Sequence, residues 1–140
     1  SMESLQFWTQ DSSTHDYWGK GTYSFDFDLA EEQISSAKVL HFDKIRDWIR
    51  VKINGKDLGL VWSLPYQLAI PAGLLSSQNH IELEVMNVSA NRIRKLDREK
   101  FNWKNFYEIN FVDIQYKAFD ASTWAVTASG IEGELYFSNL

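Results

Sequence analysis

The chain contains no cysteine, so disulfides, thiolate metal sites and a cysteine nucleophile are all excluded, and the redox compartment stays open. It has no run of 18 apolar residues, and its N-terminus shows no basic stretch followed by an apolar core. Neither a membrane-crossing helix nor a signal peptide is expected. Basic residues are outnumbered, 14 against 19 acidic, for a formal charge of -5. Long-range attraction to phosphate backbones or anionic lipid is therefore disfavoured, and neither nucleic acid nor membrane is an expected partner. The basic run Arg92, Arg94, Lys95, Arg98, Lys100 is interrupted by Asp97 and Glu99 and reads as a solvated segment.

Short catalytic signatures are missing as well. There is no P-loop, no dinucleotide glycine fingerprint, no EF-hand loop and no G-x-S-x-G elbow. His15, His41 and His80 are far apart in sequence, which argues against a histidine zinc site. Asp26 with Asp28, and Glu82 with Glu84, are carboxylate pairs of the kind acid-base hydrolysis needs, but each alternates with an apolar set that would occupy the core. The acids then face water. No resident cofactor is expected, although a structural calcium held by loop carbonyls and scattered carboxylates would leave no linear signature.

What is present is alternation and aromatic mass. The 140 residues are 44% hydrophobic and 15% aromatic, enough for one domain that buries about 68% of its unfolded surface. Tyr23, Phe25, Phe27 and Leu29 alternate with polar residues, as do Ile49, Val51 and Ile53, then Tyr66, Leu68 and Ile70, then Ile81, Leu83 and Val85. Further strands are expected over NFVDIQY (110–116), TWAVTA (123–128) and ELYF (134–137). Asn54-Gly55 is the preferred pair for a two-residue hairpin, while Pro71-Ala72-Gly73 and Ser129-Gly130 break the chain elsewhere. These short, evenly spaced strands predict an all-β protein, an antiparallel β-sandwich or jelly roll. Residues 91–108 resist the pattern; they read as a short helix or as a long loop ordered by Phe101, Trp103, Phe106 and Tyr107.

Aromatic rings beside amide and guanidinium groups are the ingredients of sugar recognition. Trp62 and Tyr66 flank Pro65, and Asn87, Asn91 and Arg92 follow a strand, so these five are the candidate carbohydrate-binding residues. Ordinary core packing and loop hydrogen bonds remain the plainer reading of each. Asn87-Val88-Ser89 fits a glycosylation sequon and is taken as coincidental.

The run VKINGKDLGLVWSLPYQLAIPAGLLSSQNHIELEVMNVSANRI resembles the galactose-binding-like, sugar-binding jelly-roll domain of family 2 glycoside hydrolases. It is more similar still to the C-terminal domain of large bacterial rhamnosidase-type glycoside hydrolases. The resemblance rests on Asn54, Gly55, Leu58, Gly59, Trp62, Pro65, Tyr66, Asn79, Ile81, Leu83, Val85, Asn87, Asn91 and Arg92, in order. GKGTYSFDFDL resembles the opening strand and FDASTWAVTASGIEGELYF the closing segment, with Ala128 and Glu134 where proline is usual. It implies a galactose-binding-like sandwich over residues 19–140, preceded by an extension or lead-in strand over 1–18. It also implies that catalytic acids belong to a separate domain, leaving this one a non-catalytic accessory domain that binds carbohydrate weakly or supports the catalytic domain, in the periplasm or outside the cell. A purely structural sandwich without sugar affinity is the alternative. Within the resemblance Gly59 permits close backbone approach and Trp62 covers one end of the sandwich. The opening Ser1-Met2 reads as an added serine before a start codon, as in a domain excised from a longer protein.

Overall fold

The computed structural model describes residues 5–87, 89–105, 112 and 114–139. Among these residues seven strands form two antiparallel sheets. They are β1 (Lys20–Asp28), β2 (Val39–Ile45), β3 (Trp48–Ile53), β4 (Lys56–Val61), β5 (Gln67–Ala69), β6 (Gln78–Met86) and β7 (Ile131–Ser138). One sheet runs β1-β6-β3-β4 and the other β5-β2-β7. The prediction of an all-β antiparallel sandwich holds.

Alternation does the work expected of it in the first sheet. Ile49, Val51 and Ile53 on β3 face Val85, Leu83 and Ile81 on β6, and all six are fully buried. Their polar neighbours point outward, where Lys20–Glu84, Arg50–Asp57 and Lys52–Glu82 pair across strands. The opposing sheet contributes Leu40, Phe42, Ile45, Ile131 and Leu135 to the same core. β2 escaped the period-two reading because VLHFDKI carries buried residues in succession, Val39 and Leu40, and a bulge between Phe42 and Lys44.

Asn54 and Gly55 turn the β3–β4 hairpin with φ of 50° and 77°, and Ile53 pairs with Lys56 across them. Gly59 serves a different purpose from the close approach expected of it. A Cβ there would meet nothing within 4 Å, but its φ is 103° and it follows a register shift between Val51 and Lys52. Glycine is needed for the bulge.

The remaining expectations fare differently. Residues 123–128 form no strand, because Thr127 spends its backbone N–H and carbonyl on the Asn91 side chain instead of a ladder. The expected strand at 110–116 lies partly outside the described residues; Val112 makes one bridge with Ala118, and Ile114 to Tyr116 turn. Of residues 91–108, the first part is helical, α2 spanning Ala90–Arg98 after the short α1 (Glu31–Ser36), while Phe106 and Tyr107 lie outside the described residues. Ahead of β1, Leu5 bridges Gly133, a 3-10 turn spans Trp8–Gln10, and the Trp8 ring stacks on Tyr23.

Candidate functional site

Strand register places the five predicted residues. Lys20, Met86 and Trp48 are aligned across β1, β6 and β3, and Val61 at the close of β4 opposes Ile49. Asn87, one residue past β6, and Trp62, one past β4, therefore lie at the same end of the four-stranded sheet. They are not neighbours. Trp62 follows β4 and Asn87 follows β6, two strand spacings apart, or about 10 Å, and Asn87 turns toward the segment before Lys20 on the β1 edge, with which it hydrogen-bonds. The five residues form two groups, not one site.

At the β4 edge, Trp62 is 70% exposed. The chain leaves β4 there and crosses to the other sheet through the cis Leu64–Pro65 bond. Tyr66 has arrived on that second sheet, its ring half-buried against the core and its carbonyl accepting the Phe42 N–H at 2.9 Å. Outward-facing Trp48, Leu60 and Met86 are exposed on the same end of the sheet as Trp62. Four large apolar side chains so gathered make a hydrophobic face of the kind that meets a partner.

At the β1 edge, Asn87 is committed to backbone. Its Oδ1 accepts the Gly19 N–H and its Nδ2 donates to the Tyr17 carbonyl, both at 2.8 Å. Asn91 is 2% exposed, and its carboxamide exchanges two hydrogen bonds with the Thr127 backbone. That burial puts Asn91 behind the surface, as a loop tie. Arg94, expected in a solvated face, is also drawn in, bonding Asp16 at 3.1 Å and the Trp124 carbonyl at 2.8 Å with its side chain 12% exposed. Arg92 remains at the surface. With Lys95 it lines a depression of about 350 Å³ whose other wall is Asp16, Tyr17 and Trp18. Sequence reasoning passed over Tyr17 and Trp18 because they precede the first alternating strand and carry no periodic signal.

The anchor of this region is Asp97. It accepts hydrogen bonds from the Ala121 N–H at 2.7 Å and the Trp103 indole at 2.6 Å, with the Lys104 ammonium at 3.2 Å. Burial pushes its carboxyl up, but those three donors outweigh it and hold the pKa below the usual value.

Ser24 Oγ lies 3.0 Å from His80 Nε2, and His80 Nδ1 lies 2.6 Å from Asp26 Oδ1, the order of groups that activates a serine. However, the Asp26 side chain is 85% exposed, and the three sit on the water-facing side of β1 and β6. A nucleophile there lacks the water-excluded surroundings in which an oxyanion is stabilised. A cleft of about 690 Å³ between β1 and β7 has an apolar floor that includes Phe25, Phe27 and Phe137, with Asp26 and Asp28 at its rim. Both carboxylates belong to exposed residues, as the alternation required, and none of the five predicted residues lines it. Among the described residues no cluster of three or more His, Asp or Glu is disposed to hold a metal. No helix among them is long and apolar enough to cross a membrane.

No protein-family model matches the chain, and comparison with curated proteins gives no match. Among solved structures it is similar to a rhamnosidase from Novosphingobium sp. PP1Y, with 26% identity and a TM-score of 0.61 over 85% of this chain. It also aligns with β-glucuronidases from Bifidobacterium dentium (21% identity, TM-score 0.48) and Ruminococcus gnavus (24%, 0.48), each over 55% of this chain. The chain spans 11% of the rhamnosidase and 13% and 14% of the two glucuronidases. It is thus similar, over most of its length, to one small part of a much larger glycoside hydrolase.

Proposed function

We propose that the chain is a non-catalytic accessory domain of a polysaccharide-degrading glycoside hydrolase, of the galactose-binding-like jelly-roll class, working in the periplasm or outside the cell. The observation that carries this is the likeness to the rhamnosidase, which takes in 85% of this chain and 11% of that one.

Its first role is support. Trp48, Leu60, Trp62 and Met86 form the face that rests against the catalytic domain, where their burial would contribute about 25 cal/mol for each Å² covered. A second role, glycan retention, is favoured by the exposed Trp18 and Tyr17 beside Arg92. The test is an affinity gel and a hydrolysis assay on the chain itself, with rhamnose-, galactose- and galacturonate-containing glycans and their aryl glycosides. Retardation without hydrolysis supports both parts of the reading; no retardation leaves support alone. Hydrolysis by the purified chain overturns the accessory assignment.

A further inference from the structure

The depression beside Trp18 has a charge balance that a neutral sugar does not need. Its acidic member, Asp16, is already engaged by Arg94 from behind. Arg92 has no ion-pair partner among the described residues, and Lys95 has only Glu99 at 3.9 Å, with both of those side chains well exposed. The two cations stand three residues apart on α2 and so share one face. In a chain of net charge -5 this is a local reversal of sign. Opposite them Trp18 is 54% exposed and held from both sides, because Asn87 fixes the carbonyl before it and the N–H after it. A ring carried on backbone so fixed has only its two side-chain torsions left to lose when a ligand stacks on it.

Resting on the glycan-retention reading, we propose that this depression binds an anionic saccharide, a single pyranose unit whose C–H face stacks on Trp18 while its carboxylate or sulfate is held by Arg92 and Lys95. A guanidinium presents two parallel donors to a carboxylate, and the ammonium supplies a second positive charge beside it. The volume, about 350 Å³, is at the small end for ligand sites and suits one sugar unit, not a long chain.

The test is a titration of the 15N-labelled chain with D-galacturonate, galactose 6-sulfate, D-galactose and L-rhamnose, with adenosine monophosphate as an anionic ring that is not a sugar. The indole resonance lost in Trp18→Phe is the readout. Acidic sugars are expected to shift it saturably at millimolar concentration, about tenfold more tightly than neutral ones, since one charge-assisted bond is worth that much. Arg92→Gln with Lys95→Gln should abolish the preference without moving the melting temperature, and added salt should weaken acidic binding. Galacturonate against galactose 6-sulfate separates carboxylate from sulfate. Equal binding of neutral sugars at Trp18, untouched by the double variant, overturns the anionic assignment and leaves glycan retention standing. Response to no sugar overturns both, and a stronger response to adenosine monophosphate than to any sugar overturns the saccharide.

Discussion

Asn87 holds the backbone on both sides of Trp18, accepting from Gly19 and donating to the carbonyl of Tyr17. A residue that follows the sixth strand thereby fixes the backbone that carries an aromatic ring ahead of the first. Asn87→Ala should leave the sandwich folded but cost about 1–2 kcal/mol of stability, one exchanged pair of backbone ties. Urea unfolding gives the loss. The Trp18 indole signal should broaden or move in the same variant, and an unchanged spectrum would mean the ring is held by something else.

Trp62→Ala should shift stability by no more than about 0.5 kcal/mol, because a ring 70% exposed gives up little burial. Trp8→Ala is the contrast. Its ring stacks on Tyr23 and packs against the core, so about 3 kcal/mol should be lost. Melting curves of the two variants side by side decide it, and equal losses would show that Trp62 is buried in solution.

Gly21→Ala places a methyl group where the Trp8 ring already lies. Overpacking of this kind costs about 1–3 kcal/mol. The expected result is a lower urea midpoint for Gly21→Ala that is largely absent when Trp8→Ala is made with it. Additive losses would count against contact between the two.

Asp97 makes stability depend on acid. Its folded pKa is held below the ordinary carboxylate value of about 3.9, so its contribution is complete above that value and is lost as pH falls through the folded pKa. Asp97→Asn should be destabilised by about 1–3 kcal/mol at neutral pH. The gap to the unchanged protein should close below about pH 4. Denaturant midpoints across that range check the sign; a gap that widens in acid would contradict it.

Ser24→Ala should change no hydrolytic rate. The chain and the variant are expected to release nitrophenol from p-nitrophenyl acetate equally, because the Ser24–His80–Asp26 row stands in water. A rate that falls on removing Ser24 would make the row a working triad.

Where alternation was strict the strands could be read from the residues: Tyr23 to Leu29, Ile49 to Ile53, Ile81 to Val85 and the Asn54-Gly55 turn all occur as expected. Where one strand has buried residues in succession, as at Val39 and Leu40, the period fails and the strand was missed. TWAVTA has the composition of a strand yet forms none, because Asn91, 36 residues away, takes the Thr127 backbone groups. Propensity is local and that competition is not.

Arg92 and Asn87 stood out in the sequence, but Tyr17 and Trp18, which line the same depression as Arg92, did not. They reach Arg92 only because β1 lies beside β6 and α2 follows β6 directly. The same holds for Ser24, Asp26 and His80, which antiparallel register alone brings together.

The sequence by itself determined the two-layer architecture, since side chains alternating every second residue can bury one face only against another sheet. It also determined that Asp26 and Asp28 face water. Which loops share an edge, and so which ring stands opposite which cation, was decided only by strand order and register, because those follow from the packing of whole sheets and not from any one segment.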